Sequence, residues 1–161
     1  MPNLRGLYIK WSNVTSIDPM SGLEDLRYLH LGSSTKVRSI EVLAKLSRLK
    51  WLGLENLKLI RDVEPIGDLA GLEGLVLGGS IWTTWRLRSL EPLSRLRSLQ
   101  YLSLLNLRSD DKTLAPLFSM SRLETFETAR WWDRGEIETI RRLNPKLAVA
   151  QPAASVEKRR D

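Results

Sequence analysis

The sequence predicts an α/β solenoid: a parallel concave β-sheet, a convex side of 3-10 and irregular coil, and a helix that caps the C-terminal end. One compositional bias and two repeating patterns predict it. Leucine supplies 31 of the 161 residues. Leucines recur as L-x-x-L-x-L from Leu4, Leu26, Leu49, Leu72, Leu99 and, weakened, Leu123, with starts 22, 23, 23, 27 and 24 residues apart. In step with them run Ile17-Asp-Pro-Met, Ile40-Glu-Val-Leu, Val63-Glu-Pro-Ile, Leu90-Glu-Pro-Leu and Leu114-Ala-Pro-Leu. Two motifs on one period mark stacked units, each burying its apolar face against the next.

Each unit has two halves. In L-x-L the apolar residues alternate, so Leu29 and Leu31, or Leu52 and Leu54, face one side of a short strand. After it the apolar spacing changes to three, as in Val37, Ile40, Leu43, Leu46 and Leu49. That spacing matches a 3-10 coil with three residues per turn, whereas an α-helix mixes steps of three and four. Proline fits the first turn of such a coil, where its missing N–H costs nothing. Asp18, Glu64 and Glu91 stand before it, where a carboxylate caps unpaired N–H groups. Six or seven such units, joined by right-handed crossovers, give a sheet roughly 30 Å wide at about 4.8 Å per strand.

The two ends differ. Asp133-Arg-Gly-Glu136 reads as a capping box that opens a helix with Ile137, Ile140 and Leu143 on its apolar face. Asn144-Pro145 stops it. Leu147 and Val149 then resume the alternating pattern as a closing edge strand. The repeat domain is thus expected over 1–149, its C-terminal cap over 130–149, and a disordered tail over 150–161. No cap precedes Leu4. Pro2-Asn3-Leu4 reads like a junction inside an array, from a chain with upstream repeats or one whose first turn another molecule covers. Self-association through the uncapped end, residues 1–26, is the expectation either way.

Over residues 4 to about 128 these motifs resemble the leucine-rich repeat family, in its short internalin-like type with 3-10 convex segments. The resemblance implies a non-enzymatic module that binds a protein or peptide, with the non-leucine strand positions lining a concave groove. Family repeats read L-x-x-L-x-L-x-x-N, the asparagine forming a buried ladder. Here the ninth position holds Ser12, Ser34, Leu57, Ser80, Leu107 and Trp131, and Asn13, Asn56 and Asn106 each fall one residue away from it.

Reading the groove positions across repeats gives one column of Gly6, Tyr28, Trp51, Gly74, Tyr101 and Thr125. The next holds Tyr8, His30, Gly53, Val76, Ser103 and Glu127. Tyr8, Tyr28, His30, Trp51 and Tyr101 are therefore candidates for partner binding, because interfaces enrich aromatic rings. The competing reading is that the rings stack along the sheet and stiffen it. The longest repeat adds its extra residues between Leu77 and Leu90, placing Trp82 and Trp85 in a loop opened by Gly78-Gly79. Trp131 and Trp132 follow on the same edge. These four complete the candidate set, against the alternative that one ring of each pair plugs the distorted solenoid.

The composition narrows the chemistry. Without cysteine there is no disulfide, thiolate zinc site or cysteine nucleophile, and His30, the one histidine, cannot form a multi-histidine metal site. No phosphate-binding loop, dinucleotide turn, H-E-x-x-H pair or nucleophile elbow occurs, so neither an enzyme nor a cofactor is expected. Nor does the pattern place a carboxylate to orient His30. No apolar run approaches a membrane span, and no signal peptide opens the chain, which predicts a cytoplasmic protein. Residues 1–80 carry 10 basic and 9 acidic side chains; residues 81–161 carry 15 and 10. That excess reads as solvated surface, with an acidic protein partner ahead of nucleic acid. The function expected is a protein- or peptide-binding module. Its alternatives are a structural spacer or fragment of a longer repeat protein and, more weakly, polyanion binding through the basic half.

Overall fold

The computed structural model describes residues 3–150. Strands β1 (Gly6–Lys10), β2 (Tyr28–Gly32), β3 (Trp51–Glu55), β4 (Gly74–Gly78), β5 (Trp85–Leu87), β6 (Tyr101–Leu104), β7 (Leu107–Ser109), β8 (Thr125–Thr128) and β9 (Ala148–Ala150) alternate with 3-10 segments. Those segments are Asp18–Gly22, Glu41–Lys45, Glu64–Asp68, Glu91–Arg95 and Ala115–Ser119, and one helix, α1, spans Arg134–Leu143. Seven strands pair in parallel in the order β1-β2-β3-β4-β6-β8-β9, and β5 and β7 form a second parallel pair. The register follows the sequence period: Leu29 faces Leu52, Leu52 faces Leu75, Leu75 faces Leu102, and Leu102 faces Phe126.

Leucine columns fill the interior. Leu26, Leu49, Leu72 and Leu99 are fully buried, as are Leu54, Leu77 and Leu104 behind the strands. Leu43, Ile66, Leu93 and Leu117 form the matching column on the 3-10 side. Among the described residues the end turns are less filled: Leu4, Leu7 and Ile9 remain half-buried beside the edge strand β1, as do Leu147 and Val149 at the β9 edge.

Backbone groups tie the turns together at both ends of each strand. The Arg5 carbonyl accepts the N–H groups of both Arg27 and Tyr28, and the carbonyls of Arg27, Lys50, Glu73 and Gln100 repeat the arrangement one turn on. At the other end the N–H groups of Trp11, Ser33 and Asn56 donate to Gly32, Glu55 and Gly78 of the following turn. Trp11, Ser33, Asn56 and Asn106 take left-handed backbone, φ 50–56°. That conformation explains two of the three asparagines that miss the ninth position. Asn56 and Asn106 occupy the eighth, where the chain must bend out of the strand and asparagine tolerates positive φ better than most residues. At the ninth position the Ser12 and Ser34 hydroxyls bond one another at 2.8 Å. The Asn56 amide accepts from Thr83 at 3.0 Å, and the Asn106 amide donates to the Ser80 carbonyl at 3.1 Å.

Several local expectations need correction. Asp18, Glu64 and Glu91 do not cap their 3-10 segments through their side chains. Their N–H groups are instead received by the residue two before, Ser16 at 3.0 Å, Asp62 at 2.9 Å and Ser89 at 2.9 Å. Ser39 and Thr113 do the same for Glu41 and Ala115. The acids face outward, where Glu64 and Asp68 bind Arg95 of the next turn at 2.6 and 3.5 Å. Asp25 pairs with Arg48, so these arginines are bridged between turns rather than simply solvated.

At the C-terminal end Asp133 accepts the Glu136 N–H at 2.9 Å, as expected. Glu136 does not reciprocate: its carboxylate takes the Leu114 N–H at 2.8 Å and the Thr113 hydroxyl, locking α1 onto the last 3-10 segment. Ile137 and Ile140 are buried, but Leu143 is exposed, one step round the helix from the buried stripe. β9 closes the sheet with Val149 opposite Phe126 and runs one residue past the expected boundary, to Ala150. The rest of the expected tail, 151–161, lies outside the described residues.

Replacing Leu52 or Leu75 by alanine is expected to cost about 2–5 kcal/mol in urea denaturation, through lost burial plus cavity. Tyr28→Ala, on the opposite side of the sheet, should cost far less. Equal losses would contradict the assignment of faces.

Candidate functional site

The concave surface is built from the residues between the leucines. Strand pairing sets Gly6, Tyr28, Trp51, Gly74, Tyr101 and Thr125 in one row, and Tyr8, His30, Gly53, Val76, Ser103 and Glu127 in the next. A third row begins Lys10, Gly32, Glu55, Gly78. Tyr8 and Tyr28 are exposed, and Trp51 is 36% exposed. With Gly6, Leu7, Leu29 and His30 they line a shallow depression of about 430 Å³ at the β1–β3 end.

Glycine decides how these side chains lie. The Trp51 ring leans over Gly74, where a Cβ would collide with it, and reaches Tyr101 two strands away. The two rings stack with centroids 5.0 Å apart. His30 leans over Gly53 in the same sense, and its other face stacks on Tyr8 at 4.6 Å. Lys10 passes over Gly32 to Glu55, 3.5 Å away. Stacking and exposure therefore coexist. Tyr8 and Trp51 are ordered by their stacking neighbours, yet with Tyr28 they still present surface to solvent.

Electrostatics sharpen the picture. His30 Nε2 lies 3.7 Å from Glu55, a carboxylate that the repeat pattern did not predict beside it. Burial nevertheless holds the His30 pKa below its ordinary 6.5, with Lys10 adding to the depression and Glu55 opposing it. Glu55 raises the Lys10 pKa and keeps that ammonium charged. Burial, followed by a hydrogen bond with Glu127, pushes the Tyr101 phenol up to about 12.

The tryptophans of the edge separate into two kinds. Trp85 is only 3% exposed. It starts β5, beside β7, instead of lying in a loop, and its indole N–H donates to the Ile60 carbonyl at 2.7 Å. Trp132 is 4% exposed. Neither presents an exposed ring face to a partner, contrary to expectation, although an edge of Trp132 lines a lateral recess. Trp82 stands 85% exposed at the tip of a tight bend closed by a Ser80–Thr83 bridge. Gly79 makes that bend feasible, since a Cβ there would strike the Thr83 carbonyl. Trp131 is partly exposed, with Arg108 over its ring at 4.8 Å. One ring of each pair, Trp85 and Trp132, thus turns into the hydrophobic interior. Sequence reasoning passed over Trp11, 79% exposed beside Tyr8's strand end, with the Lys10 ammonium 5.3 Å from its ring. Its position directly after β1 was the available signal.

No protein-family model and no curated protein matches the chain. Solved structures do. Internalin C2 from Listeria monocytogenes superposes with a TM-score of 0.71 at 25% identity, covering 95% of this chain. The internalin InlF of the same bacterium gives a TM-score of 0.61 at 21% identity over 91% of this chain. The functional domain of its InlJ, which includes a cysteine ladder, gives 0.54 at 17% identity over 78%. The chain spans 66%, 46% and 27% of those three proteins.

Two measurements check this geometry. The His30 ring signals in a pH titration by NMR are expected to move with a midpoint below 6.5, because burial disfavours the imidazolium. A midpoint above that value would mean that Glu55 outweighs burial. Gly74→Ala is expected to displace the Trp51 ring and abolish its stacking with Tyr101, seen as altered near-ultraviolet circular dichroism, while the far-ultraviolet spectrum is retained. An unchanged aromatic signal would disprove the contact.

Proposed function

We propose that this internalin-like leucine-rich repeat solenoid is a protein-binding module that works through the β1–β3 end of its concave face. The observation that carries the reading is the depression edged by Tyr8, Tyr28 and Trp51. Tyr8 and Trp51 are exposed yet braced by stacking, and such rings offer large contact area at little further loss of side-chain freedom, the quality of interface hot spots. The occupant is a protein or peptide that places an apolar side chain in the depression. Lys10 and Glu55, paired at its margin, supply polar contacts around the rim. The reading includes no catalytic step: His30 is stacked on Tyr8, and its nearest carboxylate lies beyond hydrogen-bond distance.

Selection of a displayed peptide library on the intact chain tests the reading. Enriched peptides should carry an apolar anchor and lose at least tenfold in affinity, about 1.4 kcal/mol, on Trp51→Ala or Tyr28→Ala. Binding should be unchanged on Trp82→Ala. Affinity that depends on Trp82 but not on Trp51 would move the interface to the lateral loop and end this reading.

The open edge of β1 supports a second contact. Unpaired strand groups beside half-buried Leu7 and Ile9 favour stacking against another repeat or a second copy of the chain. Hydrogen exchange of the Leu7–Ile9 amides should then slow as protein concentration rises. Concentration-independent protection in a chain that stays monomeric by light scattering would exclude it.

A further inference from the structure

On the lateral edge, away from the concave face, a recess of about 230 Å³ is lined by Arg86, Arg108, Ser109, Lys112, Trp131 and Trp132. Three of its six residues are cations, and none is an acid. The neighbouring acid, Asp110, is occupied on the outside by Arg61 at 2.6 Å and by Arg86 at 3.5 Å. Arg108 and Lys112 have no carboxylate partner among the described residues, and Arg108 is held instead over the Trp131 ring. The Trp131 indole is itself anchored, donating to the Leu107 carbonyl at 3.0 Å. Lys112 sits in left-handed backbone, φ 55°, in the turn that follows β7.

Two buried polar groups in this wall have no hydrogen-bond partner: the Trp132 indole N–H and the Ser109 hydroxyl. Buried polar groups are nearly always satisfied, so an orphaned pair beside three cations is informative. An indole can only donate, which means that its missing partner is an acceptor. Guanidinium groups fit oxyanions through paired N–H donors, and a lysine adds a point charge.

We propose that this recess binds an oxyanion, a phosphate or carboxylate group, held by Arg86, Arg108 and Lys112 between the Trp131 and Trp132 rings. The group reaches it either as a free ion or on the acidic side chain of a peptide. The site is separate from the concave depression, so a partner could fill both or only one.

The test follows the six tryptophan indole N–H signals by NMR. Inorganic phosphate is titrated in one arm and an end-blocked diglutamate peptide in the other, both at constant ionic strength. The Trp132 signal, assigned with Trp132→Phe, is expected to shift saturably while Trp82 stays still. The shift should disappear in the double variant R108Q/K112Q, whose substitutions lie outside the leucine core. If Trp132→Phe fails to fold, the signal lost in that double variant identifies the site instead. Tighter response to phosphate assigns the free ion; tighter response to the peptide assigns a protein-borne carboxylate. No saturable shift with either probe, or a shift that persists in R108Q/K112Q, overturns the proposal.

Discussion

A parallel solenoid stands or falls on the pairing of each turn's backbone with the next. In a sheet of strands three to five residues long, every buried N–H and C=O group must find its partner one circuit later, because a buried backbone group left unpaired is costly. The doubly accepting carbonyls of Arg5, Arg27, Lys50, Glu73 and Gln100 and the donors at Trp11, Ser33 and Asn56 set the two ends of that pairing. With both ends fixed, the circuit length is fixed, and the leucines fall into columns. The longer repeat obeys the same constraint. Its additional residues leave the circuit as the Ser80–Thr83 bend, and the β5–β7 pair restores register before the next 3-10 segment.

The parts of the molecule that repeat were legible in the sequence. Period two gave the strands and their inward leucines, period three gave the 3-10 segments, and the D-x-x-E signal gave the start of α1. What escaped were the exact cap residues and the features that depend on a neighbour one turn away. The caps at Asp18, Glu64 and Glu91 were assigned to the acid because the acid sits beside the proline; geometry gives them to Ser16, Asp62 and Ser89, with Ser39 and Thr113 alike in the other two segments. Glu64 instead meets Arg95 of the following repeat, while Asp18 and Glu91 accept from the nearby hydroxyls of Ser16 and Ser94. Glu136 likewise left its expected local bond for a contact with the preceding turn. For Glu64 and Glu136 a local sequence rule lost to contacts between turns; the caps stayed local but shifted two residues upstream.

The candidate site was half legible for the same reason. Alternation placed Tyr8, Tyr28, His30, Trp51 and Tyr101 on one face, and they lie there. It could not place Glu55 beside His30, because that approach crosses the gap left at Gly53. Nor could composition tell Trp82 from Trp85. Two residues separate them, yet one crowns a bend and the other joins the hydrophobic interior. Leucine columns tolerate either outcome. Only the tight turn at Gly79 decides it.

The side chains that lean over glycines give the concave surface a grain. Trp51, His30 and Lys10 each tilt across the following strand, toward the C-terminal end, so each ring's position belongs to two turns at once. The core carries no such dependence, since one leucine-filled turn resembles the next. Excising the unit that contains Gly74 would rejoin matching leucine columns but bring Trp51 directly against Tyr101, with no gap to lie in. Loss or duplication of a repeat would therefore rewrite the recognition surface while leaving the scaffold intact. For a lineage of such chains, unequal recombination offers new surfaces at little structural risk, and the glycines mark where old ones are erased.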